Sequence, residues 1–287
     1  MISLKGAAVS AKIQQEIQSE LEELQAEGGR IPRLAIVRVG ERPDDCSYER
    51  GALKRMEKLG LLAQICAFPS DISHEDFEQA FLEINEDEAI DGILLFRPLP
   101  SQIDENRITE LIDPKKDLDG ICPANIAKVF SGDSQGFAPC TAEAVVEVLK
   151  ANDIEISGKR IVIVGRSMVV GRPLAMLLLK ENGTVTICHT RTRELAKICQ
   201  NGEILIAAAG KAKMLDSSYV GQDAIVIDVG INVDKDGNLC GDVDFDSLEG
   251  KASMATPVPG GVGAVTTSVL AKHLVRAAKQ RRESAGR

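Results

Sequence analysis

Arg160-Ile-Val-Ile-Val164, followed without a break by Gly165-Arg-Ser-Met-Val-Val-Gly171, decides the fold class of this chain. A short β-branched run that stops on glycine and gives way to a helical pattern from about Arg172 predicts strand, tight loop and helix N-terminus in succession. Such a succession presents backbone N–H groups and the positive end of a helix dipole to a phosphate. The spelling departs from the dinucleotide fingerprint G-x-G-x-x-G, because Ser167 stands for the second glycine and the last arrives one residue late, at Gly171. Context rather than spelling assigns a nucleotide site here, with Gly165, Arg166, Ser167 and Gly171 on its phosphate side.

Downstream, apolar runs predict strands at Val185 to His189, Glu203 to Ala209 and Asp223 to Val229, which with the first strand make a Rossmann-like domain. Upstream, the order is strand Leu34 to Gly40, helix Ser47 to Leu59, apolar run Leu62 to Phe68, helix His74 to Ile84 and strand Gly92 to Phe96. That βαβαβ alternation is the pattern of a parallel sheet. Ser10 to Ala26 carries Ile13, Ile17, Leu21 and Leu24 on one helical face and stops at Gly28-Gly29. Thr141 to Lys150 predicts a helix capped by Cys140-Thr141, and Val269 to Ala278 a final one. The expected architecture is two-lobed α/β. An N-terminal α/β catalytic lobe occupies 1–139, a Rossmann-like NAD(P)-binding domain 140–265, and a C-terminal helix, 266–287, returns to the first lobe and leaves the active site between the two.

The second strand of the Rossmann-like half ends His189-Thr190-Arg191-Thr192-Arg193, with no acid to bond a ribose 2′-hydroxyl. Arg166 and Arg191 suit a 2′-phosphate through charge-assisted hydrogen bonds, so NADP is the expected cofactor and NAD the alternative. His189, closing an apolar strand, reads as a hydrogen-bonded structural residue. A second glycine-dense segment, Ala255-Thr-Pro-Val-Pro-Gly-Gly-Val-Gly263, is rigid and lets backbone approach a ligand closely, which marks Pro259, Gly260 and Gly261 as an active-site wall.

A chain of 287 residues with 44% hydrophobic content is large enough for two medium domains. A net charge of -9 without a long basic stripe argues against nucleic acid as a partner. The cations Arg276, Lys279, Arg281 and Arg282 fit a helix C-terminus, where they complement the dipole. Seven cysteines form no Cys-x-x-Cys pair, and three histidines give no ligand spacing, so no metal is expected. The odd cysteine count and the charged opening through Lys5, Lys12 and Glu16 point to a reduced, cytoplasmic protein. No run approaches the roughly 20 apolar residues that span a bilayer, so no membrane is expected as a partner.

Beyond the two glycine segments, an ordered series runs along nearly the whole chain. It comprises Val39-Gly-Glu-Arg-Pro43 through Tyr48, Asp91-Gly-Ile-Leu94 with Pro98-Leu-Pro100, Lys116-Asp-Leu-Asp-Gly120, Pro139-Cys-Thr141, Asp228-Val-Gly-Ile-Asn232 and Gly241-Asp-Val243. The series resembles the bifunctional methylenetetrahydrofolate dehydrogenase/methenyltetrahydrofolate cyclohydrolase family. The resemblance implies a homodimeric enzyme acting on tetrahydrofolate one-carbon derivatives. It would oxidise 5,10-methylenetetrahydrofolate by hydride transfer to a nicotinamide and then hydrolyse the methenyl cation to 10-formyltetrahydrofolate. By position it implies Tyr48 as the active-site tyrosine and Asp119 as the aspartate that holds the pterin. It places Gly165, Arg166, Ser167, Thr190 and Ile231 on cofactor positions and Gly260-Gly261 near folate and nicotinamide. These residue types suit the chemistry: a carboxylate accepts the pterin's N–H donors, and a tyrosine ring stacks on its face.

The same resemblance implies a lysine four residues after the tyrosine and a glutamine late in the Asp91 segment. This chain has Ala52 and Phe96 there. Lys54 falls on another side of the helix, while Arg55 and Arg97 carry guanidinium groups that stay protonated and make poor bases. The expectation is a retained dehydrogenase with a weak, absent or reorganised cyclohydrolase. The competing readings are a full bifunctional enzyme organised around Arg55 or Arg97, a monofunctional dehydrogenase, and a catalytically silent folate- or NADP-binding protein. A shikimate-type dehydrogenase leaves the ordered series unexplained.

Overall fold

The computed structural model describes residues 1–285; Gly286 and Arg287, the end of the segment expected as a C-terminal helix, lie outside the described residues. The first half of the chain runs β1 (Ile2–Ser3), α1 (Gly6–Ala26), β2 (Arg33–Val39), α2 (Pro43–Lys58), β3 (Leu62–Phe68), α3 (His74–Glu86), β4 (Gly92–Leu95), α4 (Glu105–Leu111) and α5 (Pro123–Ser131). The second half runs α6 (Cys140–Ala151), β5 (Arg160–Val164), α7 (Gly171–Lys180), β6 (Thr184–Cys188), α8 (Leu195–Gln200), β7 (Ile204–Ala207), β8 (Ile225–Asp228), β9 (Asn232–Val233), β10 (Leu239–Cys240), β11 (Met254–Ala255) and α9 (Gly263–Ala285). Two compact units result, one holding residues 13–140 with 267 onward, the other 1–12 with 141–266.

In the first unit a parallel sheet has the order β3-β2-β4. The central strand β2 buries Leu34, Ala35, Ile36 and Val37 completely, as an unbroken apolar strand covered on both faces should. Phe77 and Phe81 of α3 and Ile108 of α4 join its core. Asp91, entering β4, accepts two bonds from Arg30 at 2.8 Å each and one from the Arg33 N–H. From Thr267 onward α9 buries Val269, Leu270, Leu274 and Val275 in this unit. The basic residues near its end find partners elsewhere in the unit rather than simply complementing the helix dipole. Lys279 pairs with Glu20 and Glu23 of α1, Arg281 bonds the Ile90 carbonyl, and Arg276 bonds the Gly136 carbonyl while lying over the Phe137 ring.

In the second unit six parallel strands have the order β1-β11-β8-β7-β5-β6, and β9 and β10 form a separate antiparallel hairpin. The strands expected at Glu203 to Ala209 and Asp223 to Val229 are both shorter in the structure. Asp223 has φ of 60°, outside the range of a strand, and the Ala209 N–H leaves the ladder for a side-chain acceptor. β6 likewise stops at Cys188, because the His189 N–H turns to the Thr192 hydroxyl. Helices α4, α5 and α8, of nine residues or fewer, carry too few turns to show a hydrophobic period, and β1 and β11 are too short to alternate.

Candidate active site

Tyr48 stands half-buried on α2, a helix that starts with Pro43 at its first position, where a missing N–H costs nothing. Its ring meets Phe96 edge to face, with centroids 5.7 Å apart and planes at 86°. Phe96 is fixed just past β4 by its N–H bond to the Val37 carbonyl at 2.9 Å. One helical turn beyond Tyr48, Ala52 is completely buried, whereas Lys54 is exposed. Arg55 reaches the Thr267 hydroxyl at 3.4 Å, and Arg97 pairs with Glu105 at 3.5 Å. Neither arginine touches Tyr48's hydroxyl among the bonds of the described residues.

Asp119 owes its position to the residues around it in Lys116-Asp-Leu-Asp-Gly120. The Lys116 amine is buried against the Asn85 and Asp87 carbonyls at 2.5 and 2.8 Å, at the end of α3. Asp117 accepts the Ile121 and Cys122 N–H groups and the Asn125 amide, so it is a loop anchor. Asp119, two residues on and half-buried, accepts the Cys140 N–H at 2.8 Å, the first N–H of α6. Burial pushes its carboxyl above the ordinary range, and the neighbouring Asp117 adds to this. The Cys140 N–H and the Arg97 charge pull the other way. Burial, then the Cys140 thiol and the Asp119 charge, hold the Tyr48 phenol well above its ordinary value, so it is a neutral O–H donor throughout the working pH range.

The sequence marks Cys140 only as part of a helix cap and a motif, and it does not mark His273 as a site residue. The Cys140 thiol lies 3.4 Å from the Leu118 carbonyl and 3.7 Å from His273 Nδ1, and that nitrogen is 2.8 Å from the same carbonyl. His273 is buried against the Phe137 ring, at 5.3 Å between centroids. Only the Pro139-Cys-Thr141 motif hinted at this cluster, which backs the Asp119 loop from the far end of the chain.

In the second unit the nucleotide-side residues lie at the C-terminal ends of β5 and β6. A Cβ on Gly165, where φ is +139°, would overlap the Ala208 carbonyl oxygen, and one on Gly171 would overlap the Gly165 carbonyl. The turn can therefore close onto α7 only with glycine at both positions, which explains why the late Gly171 serves where the fingerprint has an earlier one. Ser167 accepts the Val170 N–H, and the exposed side chains of Arg166, Thr190 and Arg191 flank the turn. Nδ1 of His189 accepts the Arg191 N–H at 3.1 Å, a structural role that orients the arginine loop. Ile231 is 67% exposed although apolar, and Gly260 and Gly261 pack beside the start of α1 through the Gly6 N–H bond to the Gly260 carbonyl. The N-terminus of α7, the tight glycine turn before it and the exposed Arg166 and Arg191 suit a phosphorylated dinucleotide.

Residues 4–119 match the tetrahydrofolate dehydrogenase/cyclohydrolase catalytic domain, and residues 139–282 the NAD(P)-binding domain of the same enzymes. The bifunctional protein FolD of Alkaliphilus oremlandii is 51% identical over 276 residues, which cover 96% of each chain. A crystal structure of the bifunctional FolD dehydrogenase/cyclohydrolase from Campylobacter jejuni superposes with a TM-score of 0.93 at 37% identity, over 98% of this chain and 99% of that one. The Trypanosoma brucei enzyme, solved with NADP cofactor and an inhibitor, gives 0.91 at 35% identity over 98% of both chains.

Proposed function

The chain belongs to the tetrahydrofolate dehydrogenase/cyclohydrolase family, and on that premise we propose that it is an NADP-dependent methylenetetrahydrofolate dehydrogenase whose cyclohydrolase step is weak or absent. Residues 1–139 take the role of the folate-binding catalytic domain, apart from β1 and the start of α1, which lie in the other unit; 140–265 take that of the NADP-binding domain, and α9 that of a helix completing the first. Asp119 accepts the pterin's ring N–H and amino donors, and Tyr48 lies against the pterin and donates its hydroxyl proton as a hydrogen bond. The Gly165 to Gly171 turn and the N-terminus of α7 hold the dinucleotide's phosphates, with Arg166 and Arg191 on the 2′-phosphate, and Thr190 and Ile231 complete the cofactor contacts. Pro259, Gly260 and Gly261 form the wall beside the reacting carbons. The bound dinucleotide supplies the hydride acceptor, and the protein's part is alignment and exclusion of water.

The observation that carries the finer reading is the pair Ala52 and Phe96. The position one turn from Tyr48 is a buried methyl group, and an aromatic edge covers the tyrosine where a polar side chain is expected. Hydride transfer needs no base, whereas hydrolysis loses general acid–base help worth about 10²- to 10⁴-fold. An assay with methylenetetrahydrofolate, run with NADP and separately with NAD, decides the matter by following reduced nicotinamide and the methenyl species together. Methenyl accumulation in step with reduced NADP is expected. Reduced cofactor without accumulation, faster than spontaneous hydrolysis, overturns the reading in favour of a bifunctional enzyme organised around Arg55 or Arg97; no signal favours a silent binder. Assembly as a homodimer is part of the proposal and is checked by light scattering on the eluting protein.

A further inference from the structure

Two motifs of the sequence, Asp228-Val-Gly-Ile-Asn232 and Gly241-Asp-Val243, contribute only Ile231 to the site described above, yet each places a carboxylate deep in the second unit. Asp242 is completely buried, and Asp228 is 4% exposed. Oδ2 of Asp242 accepts the N–H groups of Ala209 at 2.6 Å and Gly210 at 3.0 Å. Oδ1 accepts the Lys211 N–H at 2.8 Å and the Asn232 side-chain amide at 2.9 Å. Asp228 in turn accepts from Gly230, Asp242 and Val243 at 2.9 to 3.0 Å. The glycines of both motifs make room for this: a Cβ on Gly230 would overlap the Asp242 carboxyl, and one on Gly241 the Asp228 carboxyl. No lysine or arginine pairs with either acid among the ion pairs of the described residues.

Two buried carboxylates held by hydrogen bonds without a countercharge among the described residues are a costly way to hold loops together, since well-packed apolar side chains stabilise as much or more. What they provide is directional. Asp228 is the last residue of β8, and Asp242 collects the amides that follow β7, so both act at the C-terminal edge where open parallel sheets take their ligands. The loop that Asp242 collects continues from Ala208, whose carbonyl lies directly against Gly165 of the phosphate turn. The other arm fixes Asn232, while Asp228 fixes Gly230, so the exposed apolar Ile231 between them is held rigidly from both sides. With phosphates at the end of β5 and the adenosine ribose toward β6, the remaining half of a dinucleotide has to run the other way, over β7 and β8.

We propose that Asp242 is a positioning residue for the nicotinamide half of the cofactor, acting through the Ala209 to Lys211 loop and through Ile231. The inference rests on the NADP-binding reading of this unit. Its test compares two probes, NADP and 2′-monophosphoadenosine-5′-diphosphoribose, which lacks the nicotinamide, by calorimetric titration of the full chain alongside steady-state kinetics. Asp242→Asn turns an N–H donor toward backbone donors. It is expected to weaken NADP binding and lower kcat by about 10- to 100-fold, the scale of misplacing a reacting group by about 1 Å. The fragment should bind as it does to the wild type, a split that a general loosening of the fold does not produce. Because Asp242→Asn endangers folding, Asn232→Ala, which removes one donor, is measured in parallel and should show the same split at smaller amplitude. Equal weakening of both probes, or wild-type kcat and NADP affinity in both folded variants, overturns the proposal. Failure of the wild type to bind even the fragment overturns the NADP-binding reading and this inference with it.

Discussion

Ala52 is one methyl group in a closed space, and the catalytic difference ascribed to it can be tested by installing the lysine and glutamine that the resemblance implies. Ala52→Lys combined with Phe96→Gln should raise enzyme-dependent hydrolysis of methenyltetrahydrofolate by at least about 10-fold, part of the full general-base contribution. Overpacking a fully buried site should cost about 1–3 kcal/mol of stability, visible in urea denaturation. Unchanged hydrolysis in a folded double variant would show that the two positions do not explain a missing second activity. Asp119 makes a pH prediction. In its proposed role it must be ionised to accept the pterin's donors, and burial raises its pKa, so kcat/KM for the folate should begin to fall at a higher pH than a free carboxylate would dictate as the solution is acidified. Asp119→Asn should lose that acid limb and about 10- to 100-fold in kcat/KM, the worth of hydrogen bonds to a charged acceptor. Persistence of the limb in the variant would assign it to another group.

The strand–turn–helix β5-α7 works only because its glycines let backbone touch backbone. Gly165→Ala forces a methyl group into the Ala208 carbonyl at a φ that L-residues rarely adopt. The expected result is a loss of NADP affinity of about 10-fold or more, together with about 1–3 kcal/mol of stability. Titration with NADP beside a thermal melt separates the two, and wild-type affinity would show that the turn does not cradle the phosphates. Only the first turn of α9, Gly263 to Thr266, belongs with the Rossmann-like unit, and from Thr267 its apolar face closes the other core.

Stability against pH is a property of the whole chain, and Asp228 gives it a distinctive sign. Burial raises its pKa from 3.8 to about 6 against the pull of three backbone N–H bonds. Between those values the folded protein holds a proton that the unfolded chain has released. The stability contributed by this group is therefore full below 3.8 and is lost as pH rises through about 6. Asp228→Asn cannot titrate. The wild type's melting temperature relative to the variant's should consequently decline across that window and then level off. A difference that grows with pH would mean that the ionised carboxylate is the favoured form and that the backbone donors outweigh burial.

From the sequence alone came the alternation of strands and helices, the parallel sheets, the glycine turn between β5 and α7, and the family to which the ordered motif series points. Each of these is written in neighbouring residues, as a period of two or 3.6, a glycine after a strand, or a fixed spacing. Tertiary structure alone decided what the buried polar groups do. His273 meets the Leu118 carbonyl across 155 positions, Asp242 collects amides more than 30 residues upstream, and β1 finds its partner in β11 near the other end of the chain. Lys116, one of a pair of lysines in a polar stretch, proved to be sealed against two carbonyls. A hydrophobic pattern records which way a side chain faces, but a carboxylate or imidazole records nothing of its partner. Buried polar groups must nevertheless be satisfied, and only the folded chain brings the donors to them.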